Sequence, residues 1–430
     1  MTGVDPDRAS ALHRRLQEAC AHAAPKRTVV ALSVNGSRIY AAIGARSADR
    51  EVFRSGCATK LLVAALSGRK LGAHGLGHDV PARRVLGGAS AEVLGDTTFR
   101  QLLEHTHGLD DTGLPGTPRR RDGRIDVRRL LARLEGKRIA APGEVYSYSN
   151  AGAMLVAAAL ETLERRAFER QLRDDLLAPL GIEARRDRGS GRGAGGPAGV
   201  CPATGGELAF TVGGLLAFLE ATAGVLPAGA AALDPLRDAG RARPLAAAPD
   251  RHTPLPGWHP LERGVRLGWK CYAGGWLGHQ SAWPGASLLL CVRPRDRSTL
   301  VVASEDEHAA VVGARVLGRQ MPELFAPVLP RRLPAAAAAR LDPRRYCGRY
   351  ASSAECLEVG ADAAGLVLDA GGVQARLIPA CGEIFFLEPA AVGRAFVQFI
   401  DVRGGRFRRL WDGRFVLPLV CSPVGLQRGT

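Results

Sequence analysis

The spacing of hydrophobic and polar residues alternates between helical and extended patterns along most of the chain. Residues 7–23 place apolar side chains on one face at helical spacing, which predicts an amphipathic helix. The apolar runs 28–34 and 37–43 flank Asn35-Gly36, a dipeptide typical of a tight turn, and so predict a β-hairpin. Further helices are predicted over 57–66, 98–104, 151–163 and 210–220, and further strands over 267–272, 287–292 and 299–303. The pattern therefore predicts a unit that combines helices with strands.

The last part of the chain has a different pattern. Residues 327–339 are rich in proline and alanine, which is typical of a linker. Beyond them, residues 346–418 alternate short apolar runs with glycine and Asp-Gly turns, which predicts a small all-β domain, either a sandwich or a barrel. Its strands are predicted at 366–368, 373–377, 384–387, 396–400 and 407–411. We therefore divide the chain into residues 1–326, a linker over 327–340 and residues 341–430.

The composition is strongly basic, with a formal net charge of +16 and a pI of about 10.1. Only five of the 58 basic residues are lysines, so 53 are arginines (58 − 5), and they are spread over the whole chain. Because no lysine-rich tract or basic module with interleaved aromatic residues is present, we predict no nucleic-acid partner. An acidic partner such as an acyl carrier protein is compatible with this charge.

The chain lacks the usual signals for export or membrane insertion. No run reaches the roughly 18 apolar residues that a membrane span needs, so we predict no membrane association. Residues 1–7 lack the basic start and apolar core of a secretory signal, which predicts a cytoplasmic protein. The nine cysteines, none at CxxC spacing, are predicted to be free thiols, and no metal or organic cofactor is predicted. Residues 185–206, rich in Gly, Arg and Pro, predict a surface loop.

The candidate chemistry begins at Cys57, which opens an apolar helical segment. Lys60 follows three residues later, so both side chains lie on one face of a helix. A helix N-terminus and a nearby ammonium group both lower the pKa of a thiol and raise its thiolate fraction. A nucleophile with a basic group one turn away is the arrangement that covalent acyl transfer requires. The alternative is a buried structural cysteine beside a lysine that reaches the surface.

Two further segments carry polar groups suited to the same chemistry. Tyr148 and Asn150 are two residues apart in a turn that precedes the helix predicted from residue 151. A phenol beside a lysine can transfer protons to and from a nucleophile or a leaving group. His279 heads a strand segment ahead of Trp283-Pro284. Each segment taken alone also fits an ordinary role in a turn, a helix cap or the core.

Taken in order, the three segments resemble the serine β-lactamase and penicillin-binding-protein family, in the branch of cephalosporinase-like enzymes, esterases and D-amino-acid carboxypeptidases. The family motifs S-x-x-K, Y-x-N and K-T-G or H-x-G appear here as Cys57-x-x-Lys60, Tyr148-x-Asn150 and His279-Gln280-Ser281. The segment Thr98–Leu109 is similar to the family's segment rich in Leu, His and Thr that precedes the second motif. The resemblance covers residues 28 to 320, and the C-terminal portion resembles the lipocalin-like domain that many members append.

The resemblance implies an α+β fold of the β-lactamase and transpeptidase type. An antiparallel sheet is flanked by helices, a helical lobe faces it across the active-site cleft, and a small all-β domain follows. The resemblance also implies that Cys57 takes the acyl group and that Lys60 and Tyr148 move protons. Asn150 is implied to orient the substrate.

The third motif is implied to complete the site along a strand. The backbone N–H groups of Cys57 and Ala282 are implied to form the oxyanion hole, and His279 to contribute a hydrogen bond. Two positions depart from the family pattern, because a cysteine replaces the nucleophilic serine and Ser281 replaces a glycine. The family's glycine lets substrate lie close along the strand, so Ser281 is expected to reshape or narrow the cleft and to weigh against β-lactam turnover.

A cysteine nucleophile forms a thioester acyl-enzyme, which reacts readily with amines and thiols. We therefore predict an acyl-transfer enzyme that works through a Cys57 acyl-thioester: an acyltransferase, thioesterase or peptide cyclase in a biosynthetic pathway. Its predicted substrate is an acyl or peptidyl thioester carried on a carrier protein or coenzyme A. The alternatives are an esterase- or amidase-type hydrolase and a catalytically inactive binding protein of the same fold.

Four of the five tryptophans lie in the stretch around His279. Trp276 and Trp283 flank His279 most closely, and they are candidates for the walls of an apolar acyl pocket. The alternative is core packing, because aromatic residues near strands usually fill the interior.

Overall fold

The apolar runs of the first unit assemble into a central antiparallel sheet that positions the site. The computed structural model describes residues 6–20, 27–112, 114, 116–186, 203, 208–225, 253–255, 261–283, 286–305, 308–325, 330–391, 394–412 and 414–421. In chain order the strands of this unit are β1 (Thr28–Val34), β2 (Ser37–Ile43), β3 (Val52–Arg54), β4 (Ala184–Arg186), β5 (Leu208–Thr211), β6 (Thr253–Pro254), β7 (Glu262–Arg266), β8 (Trp269–Tyr272), β9 (Leu277–Trp283), β10 (Ala286–Arg293) and β11 (Ser298–Ser304). Eight of them form one sheet in the order β2-β1-β11-β10-β9-β8-β7-β6, and β3-β5-β4 form a small second sheet.

The hairpin of β1 and β2 shows how local sequence sets the register. Thr28 lies opposite Ile43 and Val34 lies opposite Ser37. Asn35 and Gly36 have φ angles of 50° and 81°, which both central residues of a type I′ turn require. The predicted hairpin is therefore confirmed.

Twelve helices are described, and most of them pack on the sheet or form a lobe beside it. They are α1 (Pro6–Cys20), α2 (Thr59–Ala73), α3 (Arg83–Leu86), α4 (Ala91–Leu94), α5 (Phe99–Leu103), α6 (Val127–Leu134), α7 (Ala151–Glu164), α8 (Phe168–Gln171), α9 (Val212–Thr222), α10 (Ala309–Leu317), α11 (Pro322–Phe325) and α12 (Ala335–Ala338). A 3₁₀ turn, Gly56–Ala58, leads directly into α2.

Alternate residues of β1 divide the core into two layers. Val29 and Ala31 pack with α2, α7 and α9 in the largest apolar cluster. Val30 packs on the opposite face, in a second cluster that includes residues of α1 and α10. Because side chains alternate across a strand, both faces of this central strand are buried. The sheet is thus covered by helices on both sides, and the cleft opens beside the lobe that contains α2, α5 and α7.

The C-terminal unit is a closed eight-stranded barrel. Its strands are β12 (Gly348–Ala351), β13 (Cys356–Asp362), β14 (Gly365–Ala370), β15 (Val373–Ala380), β16 (Ile384–Ala391), β17 (Arg394–Arg403), β18 (Arg406–Trp411) and β19 (Val416–Cys421). Aromatic rings fill its interior: the ring centroid of Tyr346 lies 5.0 Å from that of Phe399 and 5.1 Å from that of Phe407. The barrel therefore has a packed core of its own.

The barrel is joined to the first unit by polar and apolar contacts beside the cleft. The backbone N–H of Val416 donates to the Ser147 hydroxyl at 3.2 Å, and the N–H of Ser353 donates to the Asp110 carboxylate. Ala140 and Val145 share an apolar cluster with barrel residues that include Trp411. Residues 330–347 run between the two units and include α12. The predicted domain boundaries themselves stay predictions.

The structure confirms the α+β fold and corrects several local predictions. Residues 185 and 186, expected in a loop, belong to β4, and residues 210 and 211 end β5. The helix predicted from residue 210 begins at Val212, because the Thr211 hydroxyl caps it by accepting a hydrogen bond from Gly214 N at 3.0 Å. The rest of the predicted loop, 187–202 and 204–206, lies outside the described residues.

The described residues contain neither a membrane-spanning helix nor a cluster of metal-ligating side chains. None of the described helices is both long enough and apolar enough to cross a lipid bilayer. Within the same residues, no three His, Cys, Asp or Glu side chains are grouped as a metal site requires.

Candidate active site

Cys57 lies in the 3₁₀ turn that precedes α2, not in the regular helix that its sequence predicts. The turn is fixed from behind, where the backbone N–H of Ser55 donates to Leu208 O at 2.9 Å. Gly56 has a φ of +48°, a conformation that other residues rarely adopt, so the chain can bend sharply there. The bend leaves Cys57 partly exposed between two fully buried neighbours, Gly56 and Ala58.

Lys60 is buried below Cys57 and connects two of the predicted motifs. Its side chain is 1 % exposed. The ammonium group donates to the Tyr148 hydroxyl at 2.8 Å and to Asn150 Oδ1 at 2.7 Å. Cys57 packs against Tyr148, whose hydroxyl lowers the pKa of the thiol. The structure thus brings Lys60, Tyr148 and Asn150 into one hydrogen-bonded group beside Cys57.

The electrostatics of this group favour a thiolate at Cys57. Burial raises the pKa of the thiol, but the Lys60 ammonium, the hydrogen bond from Tyr148 and the Arg414 guanidinium together lower it below its usual value. This direction agrees with the sequence prediction. Burial lowers the pKa of Lys60, and the charge of Cys57 opposes that shift. Burial also holds the pKa of Tyr148 well above its usual value, so the phenol stays protonated and acts as a donor to sulfur.

The N-terminus of α7 is held by a buried carboxylate that the sequence analysis missed. Asp111 accepts hydrogen bonds from Ser149 Oγ at 3.0 Å and from the backbone N–H of Asn150 at 2.6 Å. A carboxylate at a helix N-terminus satisfies N–H groups that lack partners within the helix. Asp111 therefore fixes the turn on which Tyr148 and Asn150 sit.

The third motif lies on β9, against the turn that carries Cys57. His279 is buried, and its Nδ1 lies 2.8 Å from Gln280 O, while its ring centroid is 6.3 Å from that of Tyr148. Burial holds the pKa of His279 well below its usual value, so the imidazole is neutral. His279 thus packs behind the tyrosine as part of the wall of the site.

Ser281 does not face the cleft as expected. Its hydroxyl donates to Ser55 O at 2.9 Å, and a Cβ placed on Gly56 would lie 3.1 Å from Ser281 Cβ. The side chain is therefore turned inward against the nucleophile turn, and the expectation that it narrows the cleft is wrong. The side chain of Ala282, the next residue, is exposed.

Of the two tryptophan candidates for a pocket wall, the structure describes the side chain of Trp276. Trp276 is fully buried in the apolar cluster with α1 and α10, on the sheet face opposite α2 and α7. Its ring lies under the Arg293 guanidinium at 4.7 Å, and its Nε1 donates to Glu323 at 3.3 Å. Trp276 is therefore a core residue, because the sheet separates it from the cleft. Trp283 ends β9, and its side chain lies outside the described residues.

The barrel supplies one edge of the site. The turn between β18 and β19 places the Arg414 guanidinium 4.6 Å above the Tyr148 ring, and the Phe415 ring centroid lies 6.2 Å from that of Tyr148. The backbone N–H of Tyr148 donates to Arg414 O at 2.9 Å. A cleft of about 380 Å³ opens here between the units, lined by Asp111, Thr112, Leu114, Tyr148, Asn150, Met154, Ala354, Glu355 and Phe415.

The sequence analysis did not assign a role to three residues that lie beside the site. Two of them could have been found from the family resemblance of their segment. His105 and Asp111 lie in or just after the segment Thr98–Leu109 that resembles the family, and the His105 ring centroid is 4.7 Å from that of Tyr148. Arg414 had no signal, because its approach to Tyr148 depends on how the barrel docks.

The chain is similar to a known family and to solved structures of the same fold. The family model described as Beta-lactamase matches residues 23–319. No curated protein matches the sequence. A crystal structure of SurE with D-Leu covers 97 % of this chain and 100 % of its own, with 23 % identity and a TM-score of 0.73.

Two further structures share the fold of the first unit. The D-alanine carboxypeptidase AmpC from Burkholderia cenocepacia has 16 % identity and a TM-score of 0.55, covering 73 % of this chain and 100 % of its own. A D-stereospecific amidohydrolase from Streptomyces sp. has 19 % identity and a TM-score of 0.50, covering 72 % of this chain and 99 % of its own.

Proposed function

Because the chain belongs to the beta-lactamase family, we propose that it is an acyl-transfer enzyme in which Cys57 accepts the acyl group of a thioester donor and passes it to an amine. One observation carries this proposal. The buried Lys60 donates to the Tyr148 hydroxyl, Cys57 packs against Tyr148, and the Lys60 charge and the Tyr148 hydroxyl lower the pKa of the thiol. A thiolate held beside a proton donor is what attack on a carbonyl followed by protonation of a leaving group requires.

The acylation step follows from this arrangement. The Cys57 thiolate attacks the carbonyl carbon of the donor, and the developing oxyanion is stabilised by the backbone N–H groups of Cys57 and Ala282. The tetrahedral intermediate collapses and its bond to the donor sulfur breaks. The departing thiolate takes the proton of the Tyr148 hydroxyl, and Lys60 then reprotonates the phenolate.

Deacylation reverses the proton path. The acceptor amine attacks the acyl carbon, Cys57 leaves as a thiolate, and the amine proton returns through Tyr148 to Lys60. Atoms, charge and protons are conserved in both steps, and no cofactor takes part. A thioester acyl-enzyme suits this role because thioesters react more readily with amines than oxygen esters do.

The structural relatives suggest which amino acid of the substrate supplies the acyl carbonyl. D-Leu is bound to SurE, and the carboxypeptidase and the amidohydrolase described above are named for D-residues. We therefore propose an acyl donor that ends in a D-amino acid, with the cleft between the lobe and the barrel taking the part of the substrate beyond the carbonyl. Leu114, Met154 and Phe415 give this cleft an apolar side.

The test uses N-acetyl-D-leucyl and N-acetyl-L-leucyl thioesters of N-acetylcysteamine. We expect the D-donor to add one N-acetylleucyl group to the intact protein, on the peptide that contains Cys57. Cys57→Ala is expected to take up no acyl group while keeping its thermal transition, and Cys57→Ser to be acylated far more slowly. Full acylation of Cys57→Ala, or no acylation of the native protein by either donor, would refute the proposal.

Hydrolysis is the second candidate, and the amidohydrolase relative favours it. The two candidates are separated by adding an amine such as D-leucine methyl ester to the acylation mixture. Transfer predicts an amide product that grows with amine concentration at the expense of free N-acetyl-D-leucine. An amide yield no greater than that without enzyme would leave hydrolysis as the activity.

A further inference from the structure

The barrel brings to the cleft a carboxylate that the proposed reaction does not use. Glu355 lies in the turn that leads from β12 into β13 and is one of the nine described residues that line the cleft of about 380 Å³. The residue is partly buried. Tyr148 and Asn150 line the same cleft, so a substrate that fills it meets Glu355 as well as the catalytic group.

Hydrogen bonds on two sides fix the turn that carries Glu355. The backbone N–H of Ser352 donates to Glu355 O at 2.9 Å and closes the turn. The N–H of Ser353 donates to one oxygen of Asp110, and the other oxygen accepts from the N–H of Thr112 at 3.0 Å and from its hydroxyl at 2.6 Å. Thr112 lines the cleft on the side of the lobe. Asp110 therefore holds the barrel turn against the lobe, and Glu355 extends from a backbone of fixed position.

The charge of the cleft lining is opposite to that of the whole protein. The chain has 58 basic and 42 acidic residues, yet the described lining residues include two carboxylates, Asp111 and Glu355, and no lysine or arginine. The Asp111 carboxylate accepts from the Ser149 hydroxyl and from the N–H of Asn150, so it acts within the lobe. Among the described residues, Glu355 is thus the charged group that the lining presents to a substrate.

The two cations of the catalytic group surround Tyr148. Lys60 is buried and donates to the Tyr148 hydroxyl and to Asn150 Oδ1. The Arg414 guanidinium lies 4.6 Å from the centre of the Tyr148 ring and 4.8 Å from that of Phe415. Because like charges repel, a positive group of the substrate is disfavoured beside the nucleophile and favoured at the turn that carries Glu355.

Apolar side chains complete the lining of the cleft. Leu114, Met154 and Phe415 supply them. A long basic side chain suits such a lining, because its aliphatic stem packs on apolar surface while its charged head pairs with a carboxylate. A purely aliphatic side chain would exclude water from Glu355 without returning a hydrogen bond, which costs free energy.

We propose that Glu355 is a specificity-determining residue that selects a donor whose D-amino acid carries a basic side chain. The charged head lies on the Glu355 carboxylate, and the stem lies along Leu114 and Met154. This inference rests on the D-acyl thioester donor proposed above and adds the class of its side chain. Arginine matches best, because a guanidinium group binds a carboxylate through two parallel hydrogen bonds.

The test compares N-acetyl-D-arginyl and N-acetyl-D-citrullyl thioesters of N-acetylcysteamine as donors. Citrulline replaces the guanidinium group with a neutral urea of nearly the same size, so the pair differs in charge alone. For acylation of Cys57 we expect kcat/KM to be at least about tenfold higher with the arginyl donor, equivalent to about 1.4 kcal/mol.

Variants of Glu355 assign this preference to its carboxylate. Glu355→Gln should bring the ratio of the two donors close to one while the rate with the citrullyl donor changes little, and Glu355→Asp should keep part of the preference. The matched control is Glu358→Gln, which removes an exposed carboxylate on β13 that does not line the cleft and should keep the native ratio. A native ratio near one, a ratio that Glu355→Gln leaves intact, or an equal loss with both donors in Glu355→Gln would overturn the proposal.

A binding experiment distinguishes failure of this inference from failure of the proposed function. Cys57→Ala protein is titrated calorimetrically with the amides of N-acetyl-D-arginine and N-acetyl-D-citrulline, and the titrations are repeated with Glu355→Gln added. Tighter binding of the arginine amide that Glu355→Gln removes supports the basic-residue site even when no donor acylates Cys57. Equal affinities for the two amides, or no binding of either, refute it.

Discussion

Replacing Lys60 by methionine tests the electrostatic basis of the proposed nucleophile. The substitution keeps most of the buried aliphatic side chain. It removes the ammonium group that donates hydrogen bonds to the Tyr148 hydroxyl and to Asn150 Oδ1. Lys60 lies one helical turn after Cys57, a spacing that puts the two side chains about 5–6 Å apart. With an effective dielectric constant of about 20, two unit charges about 6 Å apart interact by about 2.8 kcal/mol.

This energy converts to a shift in the pKa of Cys57. Since one pKa unit corresponds to about 1.4 kcal/mol, loss of the charge should raise the pKa of the thiol by about 2 units. The sign follows from the native arrangement, in which the Lys60 charge favours the thiolate and so lowers that pKa. Below the native pKa, the thiolate fraction at a fixed pH should fall about 100-fold, because each pKa unit is a tenfold change.

The assay is the rate of alkylation of Cys57 by iodoacetamide across a series of pH values, followed by mass spectrometry of the Cys57 peptide. The pH midpoint in Lys60→Met should lie about 2 units above that of the native protein. Lys70→Met is the matched control, because Lys70 lies on the same helix but pairs with Glu164 and Asp175. A midpoint in Lys60→Met that coincides with the native one would refute the charge argument.

Three further predictions concern the surroundings of the site. Ser281→Ala removes the hydrogen bond to Ser55 O and should cost about 1 kcal/mol of unfolding free energy in a urea titration, while the alkylation midpoint of Cys57 stays constant. Burial lowers the pKa of His78 from 6.5 to about 4, so the folded state prefers the neutral ring: this contribution is complete above pH 6.5 and is lost as the pH falls toward 4. His78→Asn should therefore flatten the loss of stability over that interval, and an unchanged pH profile would contradict the assignment. Trp276→Phe should lower the melting temperature and leave the KM of every acyl donor unchanged, whereas Trp283→Ala should raise KM most for long donors if that side chain lines an acyl pocket.

Sequence patterns predicted best the turns and helix caps whose conformation depends only on their own residues. The Asn35-Gly36 turn needs only two residues that tolerate positive φ, and the cap at Thr98 needs only a hydroxyl and Gln101 three positions later. The strands β12, β13 and β19 were missed because β12 has only four residues, and β13 and β19 contain Gly360 and Pro418, which are unusual inside strands. Their pairing comes from closure of the barrel, which no local pattern encodes.

The candidate site shows the same division. Cys57, Lys60, Tyr148 and Asn150 were identified because their spacing matches known motifs, and the structure brings them into contact. The predicted effect of Ser281 on the cleft was wrong, because its side chain points at the turn that carries Cys57. The direction of a side chain on β9 depends on which face of the sheet meets that turn, and local sequence does not give this.

The position of Arg414 beside Tyr148 could not be predicted from any sequence pattern near the motifs. It reaches the site across the contact between two separately packed cores, so its position follows from docking rather than from local sequence.

The contact between the barrel and Tyr148 also has a consequence for biosynthesis. The hydrogen bond from Val416 N to Ser147 Oγ joins residues 269 positions apart, and the N–H of Tyr148 is bound by Arg414 O. During translation Cys57 and Lys60 emerge before Arg414, whose carbonyl oxygen holds the backbone N–H of Tyr148. A nascent chain therefore carries Cys57 before the backbone of Tyr148 is held in place. Acylation of ribosome-bound chains should begin only after the turn between β18 and β19 has left the exit tunnel.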